Sequence, residues 1–275
     1  MKVSEIKCNS YLTKTNLPDA DYVINPYIGC QGACVYCYAR FMKRFTGHKE
    51  EWGKFVDVKV NCPEKLEKEI KRAKKGRIFF SSVCDPYQPL EKKYKLTRRV
   101  LEILSNYDFF VAVQTKFSLV LRDIDILKKL GNNVAVGFTI TSLDENVRKR
   151  FEPFSSPVKD KINALKKLHK EGIATYVFVG PIFPHFTDLP KIFEKLYKFV
   201  DDFEFENLNI RGANWIGVEK VLKKYYPDML PKWKDIFFTE KRREFDEKCK
   251  KEIKALGRKY NKTVKIFFEH GGKYD

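Results

Sequence analysis

Six short apolar segments alternate with amphipathic helical patterns along this 275-residue chain, and that alternation limits what it can fold into more than any other feature. The segments cover 22–28, 77–82, 109–115, 133–140, 175–182 and 206–211. Each is rich in Val, Ile or Phe and nearly continuous rather than alternating, as in strands buried on both faces. Between them, 63–74 carries Leu66, Ile70 and Ala73 on one face, 97–104 follows, and 123–130 places Ile124, Leu127 and Leu130 at helical spacing. The stretch 159–170 repeats this with Ile162, Leu165 and Leu168, and 189–200 with Ile192, Leu196 and Phe199.

Such a repeat implies a parallel sheet with helices outside it, linked by right-handed crossovers. The strands fall short of eight, so the expected fold class is α/β, a partial (β/α)6 TIM-like barrel with a basic, largely helical C-terminal extension. The core would occupy 1–212, with a lead-in over 1–20, and the extension 213–275 would pack on the barrel. In this architecture polar residues at the carboxyl ends of strands build the active face. They are Asn25, Ser82 to Asp85, Gln114 to Lys116, Thr139 to Ser142, Gly180, Asn209 and Arg211.

Composition narrows the class. The chain is 43% hydrophobic, enough for a sizeable core and too much for a disordered chain. No run of eighteen apolar residues occurs, so no membrane association is expected. The first fifteen residues lack an apolar core followed by a small-residue cleavage site, so no export signal is read. Seven cysteines, an odd number, do not form a disulfide scaffold. A reducing, cytoplasmic location follows as an expectation.

The strongest chemical signal is Gly29-Cys30-Gln31-Gly32-Ala33-Cys34-Val35-Tyr36-Cys37-Tyr38, between the first expected strand and a helix. Three clustered cysteines beside glycines fit poorly with inert buried thiols. A structural zinc site needs four ligands, and the nearest candidate for the fourth, His48, stands at no usual zinc spacing, with Cys62 further still. A disulfide would leave one thiol over in a reducing compartment. The remaining reading is a [4Fe–4S] cluster with three irons held by thiolates and the fourth open to an outside ligand.

This CxxxCxxC pattern, with an aromatic before the last cysteine, resembles the radical S-adenosylmethionine (SAM) superfamily. Further segments resemble its spore-photoproduct-lyase-related branch, whose members are often labelled DNA repair photolyases. They are Asn25-Pro26-Tyr27-Ile28-Gly29-Cys30, Cys37-Tyr38-Ala39-Arg40, Asp85-Pro86-Tyr87-Gln88-Pro89-Leu90-Glu91, Thr115-Lys116 with Leu121-Arg122-Asp123, Thr139 to Glu145 with Glu152-Pro153, and Gly180-Pro181-Ile182-Phe183-Pro184. Lys161 departs from the branch, which often carries Arg there, and nothing from Val221 onward matches it.

The resemblance implies two cofactors, one [4Fe–4S] cluster on Cys30, Cys34 and Cys37, and S-adenosyl-L-methionine chelating the open iron. An electron from an external low-potential donor would split the sulfonium to methionine and a 5′-deoxyadenosyl radical, which takes a hydrogen atom from the substrate. Tyr36 would pack near the adenine and Lys116 would hold the cofactor carboxylate. Thr139 and Thr141, on one face of their strand, would bond its ribose and methionine groups. Gly180 would let backbone approach the adenosine. Cys84 would return a hydrogen atom to the product radical with Tyr38 beside it, as in spore photoproduct lyase.

The chain carries 54 basic against 36 acidic residues, and 219–262 alone holds 15 against 8. With Trp215, Tyr225, Tyr226, Trp233, Phe237 and Phe238 interleaved, this tail reads either as a nucleic-acid surface or as a solvated helical face with its aromatics in the core. The leading expectation is thus a radical SAM enzyme, a lyase-like one acting on a nucleic-acid lesion. The alternatives are a radical SAM enzyme modifying a peptide or small molecule, and a non-catalytic zinc-containing nucleic-acid-binding protein.

Overall fold

The computed structural model describes residues 1–211 and 213–268. The chain opens with β1 (Lys2–Ile6), β2 (Thr13–Lys14), β3 (Tyr22–Ile24) and β4 (Tyr27–Ile28). Next come β5 (Phe55–Lys59), α1 (Cys62–Ile70), β6 (Arg77–Phe80), α2 (Glu91–Tyr94), α3 (Leu96–Leu104) and β7 (Phe110–Thr115). The alternation continues through α4 (Ile124–Leu130), β8 (Val134–Thr139), α5 (Glu145–Phe151), α6 (Val158–Lys170), β9 (Ala174–Ile182), α7 (Leu189–Leu196) and β10 (Asp202–Asn207). Helices α8 (Ala213–Tyr225), α9 (Leu230–Phe237) and α10 (Lys241–Tyr260) lead to β11 (Thr263–Ile266).

The central sheet has the order β11-β10-β9-β8-β7-β6-β3-β2. Every neighbouring pair is parallel except β2 with β3. This is the α/β fold with a mostly parallel sheet that the alternation predicts, and it aligns seven carboxyl ends along one side. A smaller sheet, β1-β5-β4, joins β1 to β5 in parallel and β4 to β5 antiparallel.

Local sequence explains most boundaries. Asp188 accepts from the Lys191 amide and caps α7, with Pro at its first turn. The α6 stripe of Ile162, Leu165 and Leu168 is buried against the sheet in the main core. Each such side chain contributes about 1.5–3 kcal/mol by leaving water. Two expected strands shift. The segment 22–28 breaks at Asn25-Pro26, where Pro cannot donate to a ladder, and its second half pairs in the smaller sheet instead. The strand expected at 206–211 lies at Asp202–Asn207.

A second apolar core lies under the cysteine loop. Trp233 is fully buried there with Phe151, Phe183 and Phe237, and its indole N–H donates to the Pro184 carbonyl at 3.1 Å. Among the aromatics expected in the tail, Trp233 and Phe237 are therefore packing groups closed to nucleotides, whereas Tyr225 and Phe238 are exposed. The C-terminal β11 pairs alongside β10 at the sheet edge.

Candidate functional site

Cys30, Cys34 and Cys37 occupy the loop between β4 and a 3-10 turn at Tyr38–Phe45. The loop is fixed from several sides. Gly29, at φ +90°, lies so close to the Phe55 carbonyl that a side chain would strike it, and Gly53, at φ +91°, does the same against Ala33. The Gln31 amide donates to Gln88 Oε1 at 2.9 Å, and Gln31 Oε1 accepts from the Leu90 amide at 2.6 Å. The Val35 amide donates to the Phe151 carbonyl at 3.0 Å, and Arg40 Nη2 donates to the Val35 carbonyl at 2.9 Å. Gly217 of α8 packs directly on that carbonyl.

Burial raises the pKa of all three thiols, Cys34 to about 12. Three N–H groups offset this. The Gly32 amide lies toward Cys30, and the Ala39 amide and the Trp52 indole N–H lie toward Cys37. The Trp52 N–H is buried and, among the described residues, has no hydrogen-bond partner, sulfur included. Donors directed at sulfur favour the thiolate, the form that ligates metal.

His48 is committed elsewhere. Its Nε2 lies 2.8 Å from Asp57 Oδ1 and its Nδ1 3.1 Å from Glu50 Oε2, with the ring stacked on Phe55. Among the described residues no three His, Cys, Asp or Glu side chains close on a single ion. In a four-iron cubane each thiolate meets its own iron, so its ligands stand further apart than those of one zinc ion.

Facing the loop, Lys116 follows β7. Its amide donates to Asp85 Oδ2 at 2.8 Å, and the Thr115 hydroxyl donates to Asp85 Oδ1 at 2.6 Å. Among the described residues the Lys116 ammonium has no hydrogen-bond or ion-pair partner, and it stands 5.9 Å from the Tyr36 ring centroid. Burial opposes its charge, but Cys34, Glu152, Asp85 and Cys37 around it hold its pKa above the ordinary lysine value. Tyr36 packs edge-on to Phe183, and its hydroxyl donates to Glu152.

The Thr139 hydroxyl, at the carboxyl end of β8, is buried without a partner among the described residues, while its carbonyl accepts from Lys161 Nζ at 3.1 Å. Thr141 is buried, and its carbonyl accepts from the Thr187 hydroxyl at 2.6 Å. Gly180 lies in β9, where a side chain would run into the Phe178 ring, so its smallness accommodates the chain's own aromatic. The Cys84 thiol lies 3.5 Å from Ser81 Oγ and packs against the small cluster of Tyr27, Val56 and Val58. The Tyr38 hydroxyl donates to the Ser82 carbonyl, and Asn25 bridges the same turn through Ser82 Oγ at 3.2 Å and the Val83 amide at 3.0 Å.

The family model of the radical SAM superfamily matches residues 24–200. The chain belongs to that superfamily. An uncharacterized protein of Methanocaldococcus jannaschii is 39% identical to this radical SAM protein over 229 residues, covering 83% of this chain and 85% of the relative. The spore photoproduct lyase of Bacillus subtilis is 27% identical over 220 residues, covering 76% of this chain and 61% of the lyase. A solved spore photoproduct lyase variant with bound AdoMet and dinucleoside spore photoproduct aligns with TM-score 0.73 and 17% identity, over 97% of this chain and 82% of that one. The protein is therefore a radical SAM enzyme related to spore photoproduct lyase.

Motif similarity names several groups of this radical SAM site without giving their roles, and Glu206 lies outside every motif. Glu152 and Lys161 form a buried ion pair at 2.7 Å behind Tyr36. Glu91 accepts from the Tyr27 hydroxyl and from Arg122 Nη2 at 2.8 Å, so the Leu121-Arg122-Asp123 segment braces the loop after β6. Glu206 of β10 is partly buried, has no partner among the described residues, and is lifted by burial to about 7, with Lys116 opposing. Strand alternation places Glu206 opposite Phe203 and Phe205, and that was the available signal. Asn209 and Arg211 lie beyond β10, and the Arg211 amide donates to Asn209 Oδ1 at 2.9 Å.

Proposed function

We propose that this radical SAM enzyme holds a [4Fe–4S] cluster on Cys30, Cys34 and Cys37 and binds SAM at the iron without a protein ligand, acting on a nucleic-acid lesion. The cysteine loop carries this reading, because it gathers three thiols, Cys34 buried and the other two partly so, near backbone N–H groups and the Lys116 ammonium. When bound, the cluster supplies the electron that splits SAM and yields the hydrogen-abstracting radical. In our reading β3 to β10 curl as a partial (β/α)6 barrel over 1–212, and 213–275 packs on it as a basic extension.

The protein's own groups divide the work. Lys116 offers an ammonium to the methionine carboxylate of SAM. The orphaned Thr139 hydroxyl, with Thr141, offers hydrogen bonds to the ribose and methionine groups. Tyr36, anchored by Glu152, forms the wall for the adenine, and the backbone at Gly180 lines the same side. Cys84 would give its S–H hydrogen atom to the product radical and itself become a thiyl radical, with Tyr38 beside it, as the resemblance implies. An external low-potential donor in a reducing cytoplasm would deliver the electron.

The nucleic-acid reading draws on the net charge of +18 and on exposed aromatics beside the loop. Tyr38, Phe41 and Phe45 are exposed on the 3-10 turn, and the Arg44 guanidinium lies 5.4 and 5.0 Å from the last two ring centroids. Such rings with a cation suit base stacking. The zinc alternative finds no support at His48, whose ring nitrogens face carboxylates.

The test is anaerobic reconstitution followed by reduction with SAM and damaged oligonucleotides. About four irons per chain and 5′-deoxyadenosine formation stimulated by an oligonucleotide are expected. Stoichiometric zinc, or no response to SAM, overturns the cluster reading. Cleavage that no nucleic acid stimulates overturns the substrate reading.

A further inference from the structure

β10 presents two chemically different faces. Phe203 and Phe205 are fully buried and stack on Phe193 of α7, at 4.1 and 5.8 Å between centroids. The alternate residues, Glu204 and Glu206, point to the other face of the sheet. Glu204 meets Lys265 at 3.4 Å. Glu206, nearer the carboxyl end, meets no partner among the described residues. The pairing of β10 with β9 shifts register between Phe205 and Asn207, where β9 carries the extra residue over Gly180-Pro181 and Glu206 is the single residue opposite it. Irregularities of this kind re-aim a side chain beside functional sites.

The Lys116 ammonium and the Tyr38 phenol lie within electrostatic range of Glu206, which puts it on the same side as the proposed cofactor groups. A half-buried carboxyl without a partner is costly unless a ligand supplies one. In a protein of net charge +18, this group offers phosphate no attraction where its surroundings do, and it repels phosphate once ionised. It therefore selects N–H donors. Lys116 already carries a positive charge beside it, which disfavours an ammonium and favours a neutral donor.

We infer that Glu206 is a specificity-determining residue that accepts a hydrogen bond from the ring N–H of a neutral nucleobase brought to this site. The inference rests on the nucleic-acid reading above and adds to it the edge by which the base is read. Glu206 would take no part in holding the cluster or SAM.

The test uses reconstituted full-length protein with SAM present and three fluorescent probes. They are a thymidine dinucleotide, the same dinucleotide methylated at N3 of both bases, and a lysine-containing tripeptide. Anisotropy titrations compare the wild type with Glu206→Gln and Glu206→Leu, and circular dichroism checks that each variant is folded. The wild type should bind the unmethylated dinucleotide about tenfold or more tightly than the methylated one, the cost of leaving a buried polar group unmatched. Glu206→Leu should erase that preference, and Glu206→Gln, which keeps an acceptor oxygen, should retain part of it. Equal binding of the two dinucleotides by the wild type, or an unchanged preference in Glu206→Leu, overturns the inference alone. Tripeptide binding lost in Glu206→Gln overturns it in favour of a cationic substrate. If neither dinucleotide binds the wild type, the nucleic-acid reading and the inference fall together.

Discussion

The Tyr36 hydroxyl donates to the carboxylate of Glu152, 116 residues away in sequence, and the other oxygen of that carboxylate takes Lys161 Nζ at 2.7 Å. The middle of the cysteine loop is thereby tied to the end of α5 and to α6. Both charges of the pair are buried, so removing one strands the other. Lys161→Met should lower unfolding stability by about 3–5 kcal/mol in urea titrations. Combining it with Glu152→Gln should recover much of that loss. A single variant as stable as the wild type would show that water reaches the pair.

The same carboxylate gives a pH expectation. Burial raises the Glu152 pKa, but Lys161, Lys116 and its hydrogen bonds outweigh burial and hold it below the ordinary 4.5. A depressed folded-state pKa stabilises above the unfolded value and is lost as pH falls through the folded one. Tyrosine absorbance and near-UV dichroism should therefore hold steady down to about pH 4.5 and change only in stronger acid. A transition centred above pH 5 would contradict the assignment.

The parallel sheet is legible in the sequence because its strands are continuous apolar runs, and four of the six lie within a few residues of where that pattern puts them. The first is cut short at Asn25-Pro26, and β10 is displaced. Its inward Glu204 and Glu206 make it resemble a charged loop, which pushes the expected strand to 206–211. The smaller sheet is invisible for a related reason, since β1 is largely exposed and β5 carries Asp57 and Lys59. At the site, the cysteine spacing is local and can be read directly. The contacts that hold it join positions such as Gln31 and Gln88, or Tyr36 and Glu152, that only the fold brings together. Motif similarity finds these residues without revealing that several are braces.

Cluster loss should be separable from unfolding. The three cysteines lie outside the main apolar core that holds the sheet to its helices. Cys30→Ala, Cys34→Ala and Cys37→Ala should each keep far-UV dichroism near that of the wild type. Iron bound after reconstitution should fall well below the roughly four per chain expected of a cubane. A variant that retained full iron would remove that cysteine from the ligand set.

Trp52 offers a finer probe of the same loop. Its indole N–H is buried near Cys37 with no hydrogen-bond partner among the described residues, and a donor that closes on a cluster thiolate stabilises the more negative, reduced state. Trp52→Phe keeps the ring against Phe55 and removes the donor. The cluster midpoint should drop by an amount on the order of tens of millivolts, a small part of the range such clusters span. Spectroscopic redox titration reads this directly, and an unchanged midpoint would mean that the N–H does not reach the sulfur in the loaded protein.

Glu206 should leave a signature in stability as well as in binding. Burial lifts its pKa from the ordinary 4.5 to about 7, against the opposing charge of Lys116. Between those two values the folded protein retains a proton that the unfolded chain has released. Stability therefore declines as pH rises through that window and levels off above it. Glu206→Gln removes the titration, so its advantage over the wild type should be smallest below pH 4.5 and grow with pH. Above pH 7 the added difference should be on the order of 1–2 kcal/mol, discounted for the partial exposure of the side chain. Urea unfolding at pH 4, 6 and 8 measures that growing gap; a gap constant across the three would mean that the carboxyl is solvated like any surface glutamate.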